Sequence, residues 1–161
     1  MFGFFKKSKS IDPIEAVREN AIASQRIGAL VVQGQWSAAH ALAEKASLMF
    51  ERLPDEPSLH QESVDRSAAY AFFTEVLLLG ALGNTDHARK GLKLVKQTYD
   101  EISKIYGPND AMDADTLLYI RRLRKGADID VNTYRHIALM SLVTGPVSPW
   151  SSGRGRGGVA Y

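Results

Sequence analysis

The chain has 161 residues, 45% hydrophobic and 24% charged, an ordinary globular balance and long enough to bury a sizeable core. It contains no cysteine, which excludes disulfides, thiolate zinc sites and cysteine nucleophiles. Lys6, Lys7, Lys9, Arg154 and Arg156 sit in acid-free ends, so behind the net charge of +2 the remaining 15 basic residues face 18 acidic ones, which excludes a folded body that binds nucleic acid by overall charge.

Residues 1–11 read as an aromatic and basic extension, with Phe2, Phe4 and Phe5 ahead of Lys6, Lys7 and Lys9. Its apolar part is too short and wrongly placed for a signal-peptide core. No apolar run approaches the ~20 residues needed to cross a bilayer. The expectation is a cytoplasmic protein, or one held at a membrane periphery within a complex. The three phenylalanines leave two readings open: a weak, reversible contact with an anionic membrane or a partner's groove, and packing on the chain's own domain.

The first helix is announced by Asp12 as a cap, Pro13 at the first helical position and Glu15 completing a capping box, and it should run to about Gln33. Ile14, Val17, Ala21, Ile27, Leu30 and Val31 recur near helical spacing, and Gly28 admits a close neighbour. After Gly34 the second helix spans Trp36 or Ser37 to Leu53, with Ala39, Leu42, Ala46, Met49 and Leu53 on its inner face. Pro54 and Pro57 break the pattern, and Ser58 with Gln61 offers a new capping box. The third helix should reach about Leu82. From Ala68 it is apolar nearly all round, which places it at the centre of the fold or on a binding face. In the fourth helix Ala88, Leu92, Val95, Tyr99, Ile102 and Tyr106 step by four and three up to Gly107-Pro108. A fifth helix runs from about Asp113 to Lys125, and a sixth from near Asp130 to Gly145-Pro146. No segment shows strand alternation, so the fold class is all-α, with six helices in three antiparallel hairpins over residues 12–144. Residues 145–161 shift to Gly, Ser, Pro and Arg and read as a flexible tail, with Trp150 and Tyr161 as anchors.

The glycines at the turns are spaced like stacked helix pairs, Gly83 lying 49 residues after Gly34 and Gly126 another 43 beyond. Gln33, Gly34, Gln35, Trp36, Ala39 and Ala46 resemble the second half of a tetratricopeptide repeat, with Pro54 just beyond the position of that family's terminal proline. Ala43 stands where the family has a large residue, and Ala23, Arg26 and Ile27 stand where it has Trp, Leu and Gly. The second unit keeps Gly83 and Ala88 but has Thr85 and Val95 in place of the aromatic and the later alanine, and the third keeps Gly126. The segment ending in Tyr106-Gly107-Pro108-Asn109-Asp110 is similar to the longer repeats of kinesin light chains. The resemblance implies a groove lined by the first helix of each pair: Tyr70, Phe73, Leu77, Gly80 and Ala81 in one unit and Ser24, Gly28 and Val31 in the other. It also implies that Trp36 plugs the space between paired helices. The lysines and asparagines with which family members clamp a C-terminal carboxylate are absent at these positions, so the implied ligand is an apolar helix or strand.

Signals for chemistry are weak. His40, His60, His87 and His136 have neither an HExxH arrangement nor carboxylates at metal-ligand spacing. Asp110, Asp113 and Asp115 lack the glycine and closing glutamate of a calcium loop, and acidic residues at a helix start answer the dipole. No phosphate-cradling glycine motif occurs before a helix, and the Gly153–Gly158 run lies in the tail. Neither metal nor cofactor is expected, nor is an enzyme. Arg121, Arg122 and Arg124, with Lys125, form a basic cluster that suits an acidic partner or the helix dipole. The expected function is protein–protein interaction, as an adaptor or chaperone-like scaffold that binds a peptide or another protein. The alternatives are a subunit of a larger assembly held through both extensions and, more weakly, RNA binding by the Arg-Gly tail, since two arginines are too few for much affinity.

Overall fold

A computed structural model describes residues 10–107, 111–125 and 129–144, and all regular structure among them is helical. The elements are α1 (Pro13–Val32), α2 (Trp36–Met49) ending in a 3-10 turn (Phe50–Arg52), α3 (Gln61–Ala81), α4 (Thr85–Tyr106), α5 (Ala111–Lys125) and α6 (Val131–Ala138), which continues as a π-helical turn (Leu139–Thr144).

Local chemistry sets most of these boundaries. Asp12 caps α1 by accepting from the Glu15 N–H at 3.1 Å, and Pro13 lies in its first turn. At the end of α1 the Gln35 N–H reaches the Leu30 carbonyl at 2.9 Å across Gly34, whose φ is +72°. The end of α3 repeats this geometry, with Asn84 N–H on the Leu79 carbonyl at 3.2 Å and Gly83 at φ +104°. Both are Schellman turns, which need a left-handed residue and so select glycine. Ala39 and Ala88, one turn into the following helices, are fully buried.

α3 is the central helix, packed against α1, α2, α4 and α6, which explains its apolar circumference. α4 buries Ala88, Leu92, Val95, Tyr99 and Ile102 as its periodicity predicts. α2 departs from expectation. Its buried stripe is Ala39, Ala43 and Ala46, while Leu42, Met49 and Leu53 are only half-buried. The reason is that α2 touches both α1 and α3, and alanines let it approach both backbones closely.

The last pair also departs from a simple hairpin. α5 packs chiefly on α4, whereas α6 returns to α3 and its π turn lies on α1. Tyr134 fits against Gly80, and the Leu142 carbonyl would lie 2.8 Å from a Cβ at residue 28. Glycine is required at both places because another element occupies the side-chain space. Arg135 adds a hydrogen bond from Nε to the Ala81 carbonyl at 2.9 Å, and its guanidinium lies 5.2 Å from the centre of the Trp36 ring. Half-buried Trp36 therefore meets α6 as well as the core.

This return of α6 overturns the groove expected on α1 and α3. Phe73 and Leu77 are 0% exposed and Tyr70 is 6%, with Gly80 and Ala81 buried beside them. On α1, Gly28 and Val31 are buried and Ser24 is half-buried. These residues are core, because Tyr134, Ile137, Ala138 and Leu142 cover the face on which a ligand was expected.

Candidate partner-binding site

The cationic cluster of α5 keeps its exposure. Thr116, Ile120 and Leu123 face inward, which turns Arg121, Arg122, Arg124 and Lys125 outward. α5 packs on α4 after a connection of only four residues, a length at which helix neighbours are expected to run antiparallel. Counting back along both helices from that connection, Arg121 stands level with about Lys96, and Arg124 with about Lys93. Lys90 and Lys93 are exposed on this half of α4. Lys96 is spoken for by Asp100, 2.8 Å away on its own helix. Among the described residues no carboxylate is in ion-pair contact with Lys90, Lys93, Arg121, Arg122 or Arg124. The α5 carbonyl end adds partial negative charge that holds these side chains locally but leaves their outer sides to solvent.

Apolar side chains accompany the charges. Leu94 on α4 is 54% exposed and Leu118 on α5 is 56%. An isolated exposed leucine means little, but here two of them lie on the same helices as cations without a carboxylate partner among the described residues.

A second concavity lies between α1 and α2, a groove of about 430 Å³ with Ile22, Leu42, Leu48 and Met49 among its lining residues. It exists because the alanine stripe of α2 draws the two helices together and leaves the larger side chains on the flank. A signal for it was present in Ile22 and Leu48, apolar residues off the main helical stripes. The contribution of Lys90 and Lys93 was visible only as a basic run in α4, because their nearness to α5 is a tertiary relation.

The polar interior gives little for chemistry to use. Ser141 lies at the Tyr70 hydroxyl, Thr74 Oγ1 donates to the Tyr70 backbone carbonyl at 2.9 Å, and burial pushes the Tyr70 pKa well above the ordinary phenol range. Burial also raises Glu75, opposed by a hydrogen bond with Ser47 and the nearby His40. His87 Nδ1 is 2.8 Å from Asn84 Oδ1, His60 and His136 are exposed, and His40 is half-buried. Among the described residues no three His, Asp or Glu side chains converge as a metal site requires. Phe2, Phe4, Phe5, Trp150 and Tyr161, together with Asp110 and Gly126, lie outside the described residues. No helix among the described residues is long and apolar enough to cross a membrane.

Comparison of the chain with protein-family models, curated proteins and solved structures finds no match.

Proposed function

We propose that this protein is a non-enzymatic interaction module that docks an acidic protein segment on the cationic end of its α4–α5 pair. The observation that carries the reading is the exposed set Arg121, Arg122 and Arg124 on a helix packed against α4, which exposes Lys90 and Lys93, all without carboxylate partners among the described residues. The flanking Leu94 and Leu118 suit an acidic amphipathic segment, whose apolar residues would cover them. A protein segment fits better than nucleic acid, because the cations occupy one end of two helices within a chain whose middle is net negative, whereas a nucleic-acid track is a long basic stripe. The tetratricopeptide resemblance supports an interaction role, but α6 fills the groove it implies, so the docking face lies elsewhere.

The test compares wild type with an Arg121→Glu, Arg122→Glu, Arg124→Glu variant in affinity capture from the native cells, alongside anisotropy titrations against a fluorescent acidic amphipathic peptide and a mixed RNA pool. Loss of captured proteins and of peptide binding from a variant with unchanged helical circular dichroism supports the reading. Peptide binding should also weaken as salt rises. An unchanged capture profile, or RNA bound more tightly than peptide, overturns it.

A further inference from the structure

We propose that the groove between α1 and α2 is the seat of the chain's own N-terminal segment, with Phe2, Phe4 and Phe5 as the inserted side chains. The anchor for this is Ile11, whose backbone N–H donates to the Arg52 carbonyl at 3.0 Å. That bond fixes the chain at the end of the groove where Arg52 and Met49 lie. From Ile11 back to Phe5 is six residues, a reach of up to ~20 Å. From Arg52 to Ala41, the two ends of the α2 side of the lining, is about 16 Å along the helix. The segment is long enough to run the whole groove.

The surface chemistry matches. Ile22 on α1 is 44% exposed and Leu48 on α2 is 52%, and Leu42, Ala46 and Met49 also line the groove. Phenyl rings cover such aliphatic walls, and the segment carries three of them within four positions. Glu19 and Glu44 on the lining would offer partners to the lysines of a seated segment, though Arg26 and Lys45 line it too, so charge tunes the fit and apolar cover drives it. Tethering decides between this occupant and a separate one. A segment fixed two residues from α1 has an effective concentration of order millimolar at the groove, far above that of an external peptide.

The cysteine-free chain offers a direct test in the full-length protein. Phe5→Cys is paired with Leu48→Cys in the groove or, as a control, with Leu118→Cys on α5, which is exposed to a similar extent. Under mild oxidation the 5–48 pair should close within one chain about tenfold or more faster than the 5–118 pair, as an intramolecular contact at millimolar effective concentration requires. Equal rates, or closure of neither pair, overturn the proposal. Cross-links found only between chains overturn it in favour of a second copy as the occupant. A parallel readout leaves the groove native: replacing Phe2, Phe4 and Phe5 by Ser should shift the methyl resonances of Ile22, Leu48 and Met49 and leave those of Leu118 and Ile137 in place. Unmoved groove methyls, or methyls that move only when vesicles of anionic phospholipid are added, also overturn it.

Discussion

The ring of Tyr134 on α6 occupies the space that a Cβ on Gly80 of α3 would need. The ring is 1% exposed and has nowhere to swing. Gly80→Ala therefore sets a helix-propensity gain of about 1 kcal/mol against an overpacking cost of about 1–3 kcal/mol. The second dominates, and we expect a net loss of about 1 kcal/mol, a fall in Tm of about 2–4 °C. Thermal melts of Gly80→Ala, Tyr134→Leu and the double variant check this. The double should be less destabilised than the sum of the singles by at least about 0.5 kcal/mol, the signature of direct contact.

The π turn that follows α6 brings buried Ser141 to the Tyr70 hydroxyl. Ser141→Ala leaves that hydroxyl with one fewer partner in a closed core and should cost about 1–3 kcal/mol. Adding Tyr70→Phe removes the orphaned group, so the double variant should recover part of the loss. Denaturant unfolding at constant m-value measures both.

Two groups shape stability at opposite ends of the pH range. Asp130 caps α6 by accepting from the Thr133 N–H at 3.0 Å, and its hydrogen bonds from Thr133 hold its pKa below the usual 3.8. A depressed pKa means that the stabilisation is present above 3.8 and is lost as pH falls through the folded value. Asp130→Asn keeps a capping acceptor and should flatten the acid dependence of Tm, whereas Asp130→Ala should lower Tm at neutral pH as well.

Tyr106 donates to Asp65 Oδ2 at 2.6 Å, tying the end of α4 to α3, and chiefly for that reason its pKa is pushed up from 10.0 to about 12. A raised pKa has the opposite sign: the stabilisation is complete below 10 and disappears as pH rises through about 12. Ultraviolet titration should show a late-ionising tyrosine that Tyr106→Phe removes, and the variant's Tm should fall less steeply over that interval.

The arginines of α5 should matter to binding and hardly at all to folding. At the helix C-terminus each gains a few tenths of a kcal/mol from the dipole and loses a similar amount to like charges three and four residues away. Arg121→Gln and Arg124→Gln should each stay within about 0.5 kcal/mol of wild type in chemical denaturation while weakening the acidic-peptide complex.

The helices and their turns were legible in the order of residues alone. Asp12-Pro13, the glycines at 34, 83 and 107 and the stepping of α4 act between residues no more than about five positions apart, so they can be read without knowing the fold. The sequence also marked α3 as central, because a helix apolar on every side has few other stable places. What covers what emerged from long-range packing. Periodicity shows that a face is buried but carries no address for its partner, and Tyr70, Phe73 and Leu77 suited an open groove as well as a core. α6 returning from the far end of the chain made them core, through fits such as Tyr134 on Gly80 that depend on shape across 54 residues of sequence. The same long-range packing set the alanine stripe of α2 against two helices, which opened the α1–α2 groove, and laid α5 along α4, which gathered two basic runs at one end of the protein.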